Sequence, residues 1–463
     1  MRSLATVVLA AGQSTRMKSA RSKVLHDLAG RPVISYIIDE ALKIGSARTV
    51  VVRGPLQADL GKYLEEAGLE QAVQKQPLGT ANAVASARKT LENFEGYVLV
   101  LCGDVPLVRK ETLEAFTKEV FSKSAMLGVL TMQPDFAAGY GRIVRDLDGK
   151  VVKIVEAKDA SEDELKIREV NSGVLCFDSE WLFKSLKKVG CENAKGEYYL
   201  TDLVGIALKE DLPVVAWKAE NYEELLGINT RVDLARTYEL LRERINKEHM
   251  LSGVGIQDIR HTNIDSGVKI GVDTTIMPYA FIGGKTKIGS NCVIENGVVI
   301  KDCIIENGVH IKAYSVLEKS HVRGEAVIGP FARLRPDSKI GRKAKVGNFV
   351  ELKKCEMKNG AKANHLTYLG DAVVGERANV GCGTITCNYD GYAKYMTIIG
   401  DDAFIGSDTQ FVAPVRIGKG AVIGAGSTIT KNVPAGDLSL SRAPQTFSKG
   451  WSKRRGDKMR SKK

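Results

Sequence analysis

The chain is 463 residues long, 44% hydrophobic and 26% charged, with a formal net charge of +12. These fractions suit a soluble globular protein, and no apolar run approaches the ~18 residues of a membrane span. The positive balance fits anionic partners such as phosphates without identifying them. The eight cysteines lack metal-like CxxC pairs and read as reduced thiols of a reducing compartment.

The opening, MRSLATVVLAAGQS, has the Arg, the short apolar run and the small residues of a secretory signal. It also reads as a buried strand over 4–10 running into a glycine loop, and the loop chemistry that follows favours the strand. A helix is expected over 32–42, a β-branched strand at 49–52, a helix over 80–91 and a strand at 97–101. That alternation predicts an α/β, doubly wound, mostly parallel sheet, which binds ligands beyond the carboxyl ends of its strands. Past the first strand come Gly12, Arg16 and Lys23. Small residues let backbone N–H groups approach a phosphate chain, and the cations neutralise it. Past the strand at 97–101 come Cys102, Gly103 and Asp104. An Asp at that place can hold Mg²⁺ against nucleotide phosphates, or can simply close a turn. Gln74, Gly79 and Thr80 lie in a polar loop entering a helix, where amides can read a base edge or only shape the loop.

The stretch 231–250 places Leu234, Tyr238, Leu241 and Ile245 on one helical face and reads as a connector. From Ile270 to Ile300 an isoleucine then recurs at every sixth position. A smaller side chain follows each of the first five by four residues: Thr274, Ala280, Thr286, Cys292 and Val298. Neither a helix nor an ordinary strand has that period. Six residues suit a short strand plus a tight bend, so three units close a triangular coil with the bulky residue inside. The register returns from Ile328 to Leu352 and from Ile399 to Ile429. The second half is therefore expected to be a hexapeptide-repeat parallel β-helix, whose flat sides suit trimers. The longest break in the beat, 355–397, holds His365, one of six histidines. A neutral imidazole with a pKa near ~6.5 can take a proton from an amine attacking a thioester, or can be a hydrogen-bonded surface residue. Arg335 and Lys353, just before the break, can bind a phosphate as a pair or line a solvated face.

The motifs LAAGQSTRM, KVLH, QPLGTA, LCGDVPL, GYGRIVR, KIVEAKDA, VNSGV, GEYYLTD and GINTR occur in the order found in sugar-nucleotide pyrophosphorylases. With the β-helix attached, nearly the whole chain resembles the bacterial bifunctional N-acetylglucosamine-1-phosphate uridyltransferase/glucosamine-1-phosphate N-acetyltransferases. The resemblance implies that Leu9, Ala10, Ala11 and Gly12 follow the UTP backbone while Arg16 and Lys23 act on its phosphates. Gln74, Gly79 and Thr80 would recognise uracil, with Cys102 and Gly103 beside Asp104. Asp104 and Asn229 would hold Mg²⁺. Gly141, Glu156 and Asn171 would bind the amino sugar from what reads as surface loop. Ser14 stands where the family carries Gly, which implies altered loop strain rather than lost activity.

In the second half RLRP, VELKKC, NHLTYLG, CNYDG and GSDTQ match the acetyltransferase. The resemblance makes His365 the general base, places Arg335, Lys353, Tyr368 and Asn379 on glucosamine-1-phosphate, and sets Cys382, Asn388, Tyr389, Ser407, Ala425 and Arg442 along the acetyl-CoA path. Family members build this site between subunits, so a homotrimer is implied. Cys382 replaces the usual alanine, which implies sensitivity to thiol reagents. The implied organisation is a uridyltransferase domain at 1–229, a linker helix at 230–250, a left-handed β-helix at 251–448 and a basic tail at 449–463. The tail reads as a solvated, partly disordered end; aid to CoA-phosphate binding is an alternative, nucleic-acid binding lacks aromatic interleaving or a recognised module, and no membrane partner is expected. Two competing readings are a pyrophosphorylase whose β-helix only trimerises or regulates it, and a non-catalytic nucleotide sensor. The whole is expected to be cytoplasmic.

Overall fold

A computed structural model describes residues 3–12, 15–137 and 139–461, in two compact units, Met1–Leu241 and Arg242–Lys463. Ser14 lies outside the described residues. The units meet within one helix, Arg231–Leu251, which the sequence placed as the connector.

The first unit is built on a nine-stranded sheet. Its strands are β1 (Leu4–Leu9), β2 (Arg48–Arg53), β3 (Glu70–Val73), β4 (Tyr97–Cys102), β5 (Leu127–Met132), β6 (Arg142–Arg145), β7 (Val151–Val155), β8 (Val170–Asp178) and β9 (Val214–Lys218). The main order is β9-β5-β8-β4-β1-β2-β3, with β6 and β7 attached at β8. Pairing is parallel except that β8 runs antiparallel to β4, β5 and β6, and β6 antiparallel to β7. β1 is buried along almost its whole length, because both sheet faces are covered. Val8, Leu99 and Leu101 pack with Ile34 and Ile37 of helix α1 (Val33–Lys43). On the other face Val7, Val98 and Val100 pack with Ala83 and Val84 of α2 (Thr80–Ser86). Each large side chain buried this way contributes about 1.5–3 kcal/mol.

α2 is shorter than the 80–91 helix its apolar spacing suggests. The chain continues in turns, with Leu91 N–H still bonded to the Ala87 carbonyl at 3.0 Å, so Ala87 and Leu91 are buried as the spacing requires. From β1 the chain winds to β2 and β3 on one side and then to β4 on the other. The carboxyl ends of β1 and β4 therefore flank the crevice where such sheets take ligands.

In the second unit short strands stack in three parallel columns, one for each side of a triangular coil. Every predicted inward position from Ile276 onward is buried, as are Thr274, Ala280, Thr286, Cys292 and Val298. Ile288 stacks on Ile305 and Ile305 on Val322, one residue short of three sixes, which is why the strict beat fades after Ile300. The expected break over 355–397 is mostly not a break. Strands Lys345–Met357 and Lys362–Val374 carry the coil straight through it, turning corners at Phe349, Lys354, Leu366 and Asp371, all with positive φ. The chain leaves the coil only between Cys387 and Thr397. Within the tail Trp451–Arg460 is a helix, with every side chain exposed.

Candidate functional sites

In the first unit a cleft of about 460 Å³ opens at the ends of β1 and β4. Of the predicted nucleotide set it is lined by Leu9, Ala10, Ala11, Gly12, Lys23, Gln74, Gly79, Thr80, Cys102 and Asp104. Gly103, between two lining residues, donates its N–H to the Leu9 carbonyl at 2.9 Å. Gly79 is required by its surroundings: at φ +112, a Cβ would lie 2.5 Å from the Tyr198 carbonyl oxygen. That close approach orients Gln74, whose amide nitrogen donates to the Gly79 carbonyl and to Asn82, each at 3.0 Å. Thr80 accepts from the Leu200 N–H at 2.9 Å.

Lys23 sits at the start of a short 3-10 turn, Lys23–Leu25, and forms a salt bridge with Asp104. Its ammonium is also 3.4 Å from the Asn229 amide oxygen, which accepts from Arg16 at 2.8 Å. Ile228 N–H donates to the Asp104 carbonyl at 2.9 Å, and Asp233 accepts from the Asn229 and Thr230 N–H groups. The Asp104 carboxylate and the Asn229 amide thus converge on one cationic point. Two hard oxygens facing one positive charge fit Mg²⁺ bound through one carboxylate and substrate phosphates.

His26, just past Lys23, is buried and accepts from Arg231 at 3.3 Å. Burial, then Arg231 and Arg21, hold its pKa below the ordinary 6.5. Burial pushes the Cys102 thiol up to about 12, with Asp104 adding to the effect, so it is a neutral wall and not a nucleophile.

The predicted sugar residues cluster beside this cleft: Asn171 lies within a strand, while Gly141 precedes β6 and Glu156 follows β7. Asn171 lies in β8 and is buried, and its N–H donates to the Gly141 carbonyl at 2.8 Å. Glu156 follows β7 and accepts from Thr201 at 3.2 Å; burial raises its pKa, against the pull of that bond. The sequence hid the strand position of Asn171 because the polar Asn171-Ser172-Gly173 follow Val170 before the apolar run of β8.

In the second unit the structure divides the predicted acetyl-transfer residues between two corners of the coil. At one corner Lys353 lies against Lys394, whose proximity lowers its pKa. Arg335 joins them, held by Glu351 at 3.0 Å. Tyr368 and the Asn388 amide converge over Gly370, where an added Cβ would meet the Asn388 nitrogen at 2.9 Å. Asn388 also donates to Asp371 at 2.5 Å, and Tyr389 is exposed on the excursion that follows. Lysines pressed together raise each other's energy unless an anion lies near them; Asp371 and Glu351 offset this only in part, so the corner keeps a cationic excess.

At the other corner His365 Nδ1 lies 2.8 Å from the Asn348 amide oxygen. An amide oxygen only accepts, so Nδ1 donates in this bond and Nε2 lies outside it. A groove of about 520 Å³, lined also by His310, Lys312 and Lys345, flanks this imidazole. Successive coils continue the corner through Cys382, Ser407 and Ala425: Asp408 N–H donates to the Cys382 carbonyl and Gly426 N–H to that of Ser407. Arg442 donates to the Ala425 carbonyl at 2.7 Å. Asn379 lies on the adjoining side, between Lys362 and Phe404, and not with Tyr368.

The MobA-like NTP transferase domain model matches residues 6–146, the GMPPB C-terminal domain model residues 264–334, and the bacterial transferase hexapeptide (six repeats) model residues 396–431. The chain is 48% identical to the bifunctional protein GlmU of Geobacter sulfurreducens over 475 residues, covering 99% of this chain and 100% of that protein. It belongs to the bifunctional GlmU family. It is also 47% identical to the bifunctional protein GlmU of Pelobacter propionicus, covering 97% of this chain and 98% of the relative. With that of Geobacillus sp. the identity is 46%, over 95% of each.

For a GlmU-family chain the sequence reading missed several contacts. Asn348 stands one coil before His365, a spacing the repeat itself could have suggested. Lys394 lies in the same excursion as Asn388, which was singled out. Gln57, which lines the nucleotide cleft and donates to the Ala10 carbonyl at 3.0 Å, carried no motif signal.

Proposed function

We propose that the chain makes UDP-N-acetylglucosamine by two transfers: acetyl from acetyl-CoA to glucosamine-1-phosphate, then uridyl from UTP to N-acetylglucosamine-1-phosphate. The observation that carries this is the pairing, in one GlmU-family chain, of a cation-lined cleft at a switch point with a His365–Asn348 dyad on a β-helix.

In the first unit a sugar-phosphate oxygen attacks the α-phosphorus of UTP in line and pyrophosphate leaves. The chemistry needs positioning and charge neutralisation more than a strong base. Arg16 and Lys23 neutralise the phosphates, Gln74 and Gly79 meet the uracil, and Gly141, Glu156 and Asn171 fix the sugar. Asp104 and Asn229 would hold Mg²⁺, which supplies charge neutralisation on the phosphates when bound. In the second unit the amine of glucosamine-1-phosphate attacks the thioester carbonyl. His365 takes the amine proton, and the CoA thiolate leaves.

The acetyl site is completed between subunits of a homotrimer. Along one strand, His365 and the Arg335–Lys353 corner are separated by five residues, on the order of 15 Å at about 3.3 Å per residue. That exceeds the span of an amino-sugar phosphate, so His365 of one subunit works with the cations of a neighbour. Support comes from the His365 corner, where Tyr314, Phe331 and Phe349 stack at centroid distances of 5.4 Å and stay about half exposed. Such an apolar ridge suits burial against another copy. The eight thiols are unpaired and no helix among the described residues is long and apolar enough to cross a membrane, which supports a cytoplasmic setting.

The test is one reaction containing glucosamine-1-phosphate, acetyl-CoA, UTP and Mg²⁺, read by mass spectrometry. One CoA and one pyrophosphate per UDP-N-acetylglucosamine are expected. Uridylation of supplied N-acetylglucosamine-1-phosphate without any acetyl transfer would leave a single-activity pyrophosphorylase.

A further inference from the structure

The oxygens assigned above to a metal are engaged by the chain's own cations. Lys23 is paired with Asp104 and lies 3.4 Å from the Asn229 oxygen, and Arg16 donates to that same oxygen at 2.8 Å. The pair is well shielded, with Lys23 17% and Asp104 21% exposed at the side chain. Only one of the two oxygen ligands is anionic. Among the described residues no group of three or more His, Cys, Asp or Glu could hold a metal ion.

We propose that Lys23 is a placeholder: its ammonium occupies the cation position between Asp104 and Asn229 until a nucleoside triphosphate draws it away, so that the divalent cation enters only with the nucleotide. A dication approaching the protein alone meets one carboxylate already neutralised and two positive groups beside it. That repulsion is strong where water is partly excluded. Mg²⁺ also sheds its water reluctantly and is commonly bound through one or two carboxylates plus substrate phosphates. The polyphosphate removes the obstacle from both sides. It gives Lys23 and Arg16 new anionic partners, and it brings the missing oxygen ligands. Metal and nucleotide are then coupled, each raising the other's affinity by the same factor. The inference rests on the Mg²⁺ reading of Asp104 and Asn229.

Mn²⁺ binding to the full-length protein, measured by equilibrium dialysis so that metal held by free UTP distributes equally across the membrane, tests this with no sugar phosphate present and hence no turnover. Wild-type protein is expected to take up Mn²⁺ weakly alone and strongly with UTP, and Asp104→Asn to lose the uptake seen with UTP. Lys23→Met keeps the apolar stem without the charge, so its nucleotide-free Mn²⁺ affinity should rise by about tenfold or more. That gain should vanish in the Lys23→Met/Asp104→Asn double variant. Arg16→Ala, which releases only the Asn229 oxygen, should give a smaller gain in the same direction and stands in if Lys23→Met does not fold. Wild-type protein that binds Mn²⁺ alone as tightly as Lys23→Met overturns the placeholder and leaves the metal reading intact. So does a gain in Lys23→Met that survives Asp104→Asn. Uptake with UTP that Asp104→Asn does not diminish overturns the metal reading itself.

Discussion

Among the described residues Asn348 is the side-chain partner of the His365 ring, and its removal is a sharp test of the acetyl-transfer site. Asn348→Ala deletes a 2.8 Å hydrogen bond that fixes both the tautomer and the ring orientation. A neutral bond of this kind contributes about 0.5–1.5 kcal/mol. At about 1.36 kcal/mol per tenfold in rate, that is a factor of roughly 2–12. Misorientation of the base adds to it, since small displacements of a reacting group cost up to about 10²-fold. The expected loss in kcat for acetyl transfer is therefore about 10–100-fold, with KM for both substrates little changed. His365→Ala should lose about 10²–10⁴-fold, and the double variant should be no worse than His365→Ala alone, because the asparagine acts only through the imidazole. Asn348→Asp keeps the acceptor but adds a charge that favours the imidazolium, so its acetyl-transfer profile should move to higher pH. Uridyl transfer, read in the same preparations, is the internal control and should not change. Full acetyl transfer by Asn348→Ala would refute the role given to the dyad.

Two further outcomes are expected. The native pKa of His26 is depressed below 6.5, so the unfolded chain gains its proton first. The stability this gives is full above pH 6.5 and is lost as pH falls through the native value. The urea midpoint of the first unit should thus fall less between pH 7.5 and pH 5.5 in His26→Leu than in wild type, and an equal fall would exclude His26 as the titrating group. Alkylation confirmed at Cys382, which is partly exposed on the His365 corner, should inhibit acetyl transfer and spare uridyl transfer; an alkylated protein with full acetyl transfer would remove Cys382 from the CoA path.

The two halves of the chain differed in how much the sequence disclosed. β1 and β4 were readable because strands buried on both faces are continuous apolar runs, and Gly12, Lys23 and Asp104 were readable because they follow those runs directly. Lys23–Asn229 and Arg16–Asn229 were not, because residues more than 200 positions apart meet only through the sheet's winding order. The coil was readable from its inward column of Ile and Val. Its persistence through 355–387 was not, because Met357, Ala363, Ala372 and Val374 fill the interior there, off the strict six-residue beat. The motif matches grouped Arg335, Lys353, Tyr368 and Asn379 by ligand. A linear motif carries no information about which edge of a coil a residue occupies, and the structure sets Asn379 apart from the other three.

That division has a consequence that mixed assemblies would expose. Suppose each acetyl site takes its base from one subunit and its phosphate cations from the next around a threefold axis. A trimer of His365→Ala chains then has no working site, and neither has a trimer of Lys353→Ala chains. When the two are co-expressed in equal amounts, a site regains both groups wherever a Lys353→Ala subunit supplies His365 and its neighbour, a His365→Ala subunit, supplies Lys353. Random mixing around a closed ring makes that about one site in four. Acetyl transfer should return to about a quarter of the wild-type rate per chain, far above either variant alone, and dilution into subunit-dissociating conditions should abolish it. If base and cations instead served one chain's own site, every site in the mixture would lack one of them, and mixing would restore nothing. Recovery near a quarter supports a site shared between subunits; no recovery in trimers verified to be mixed would mean that a single coil bridges its two corners itself.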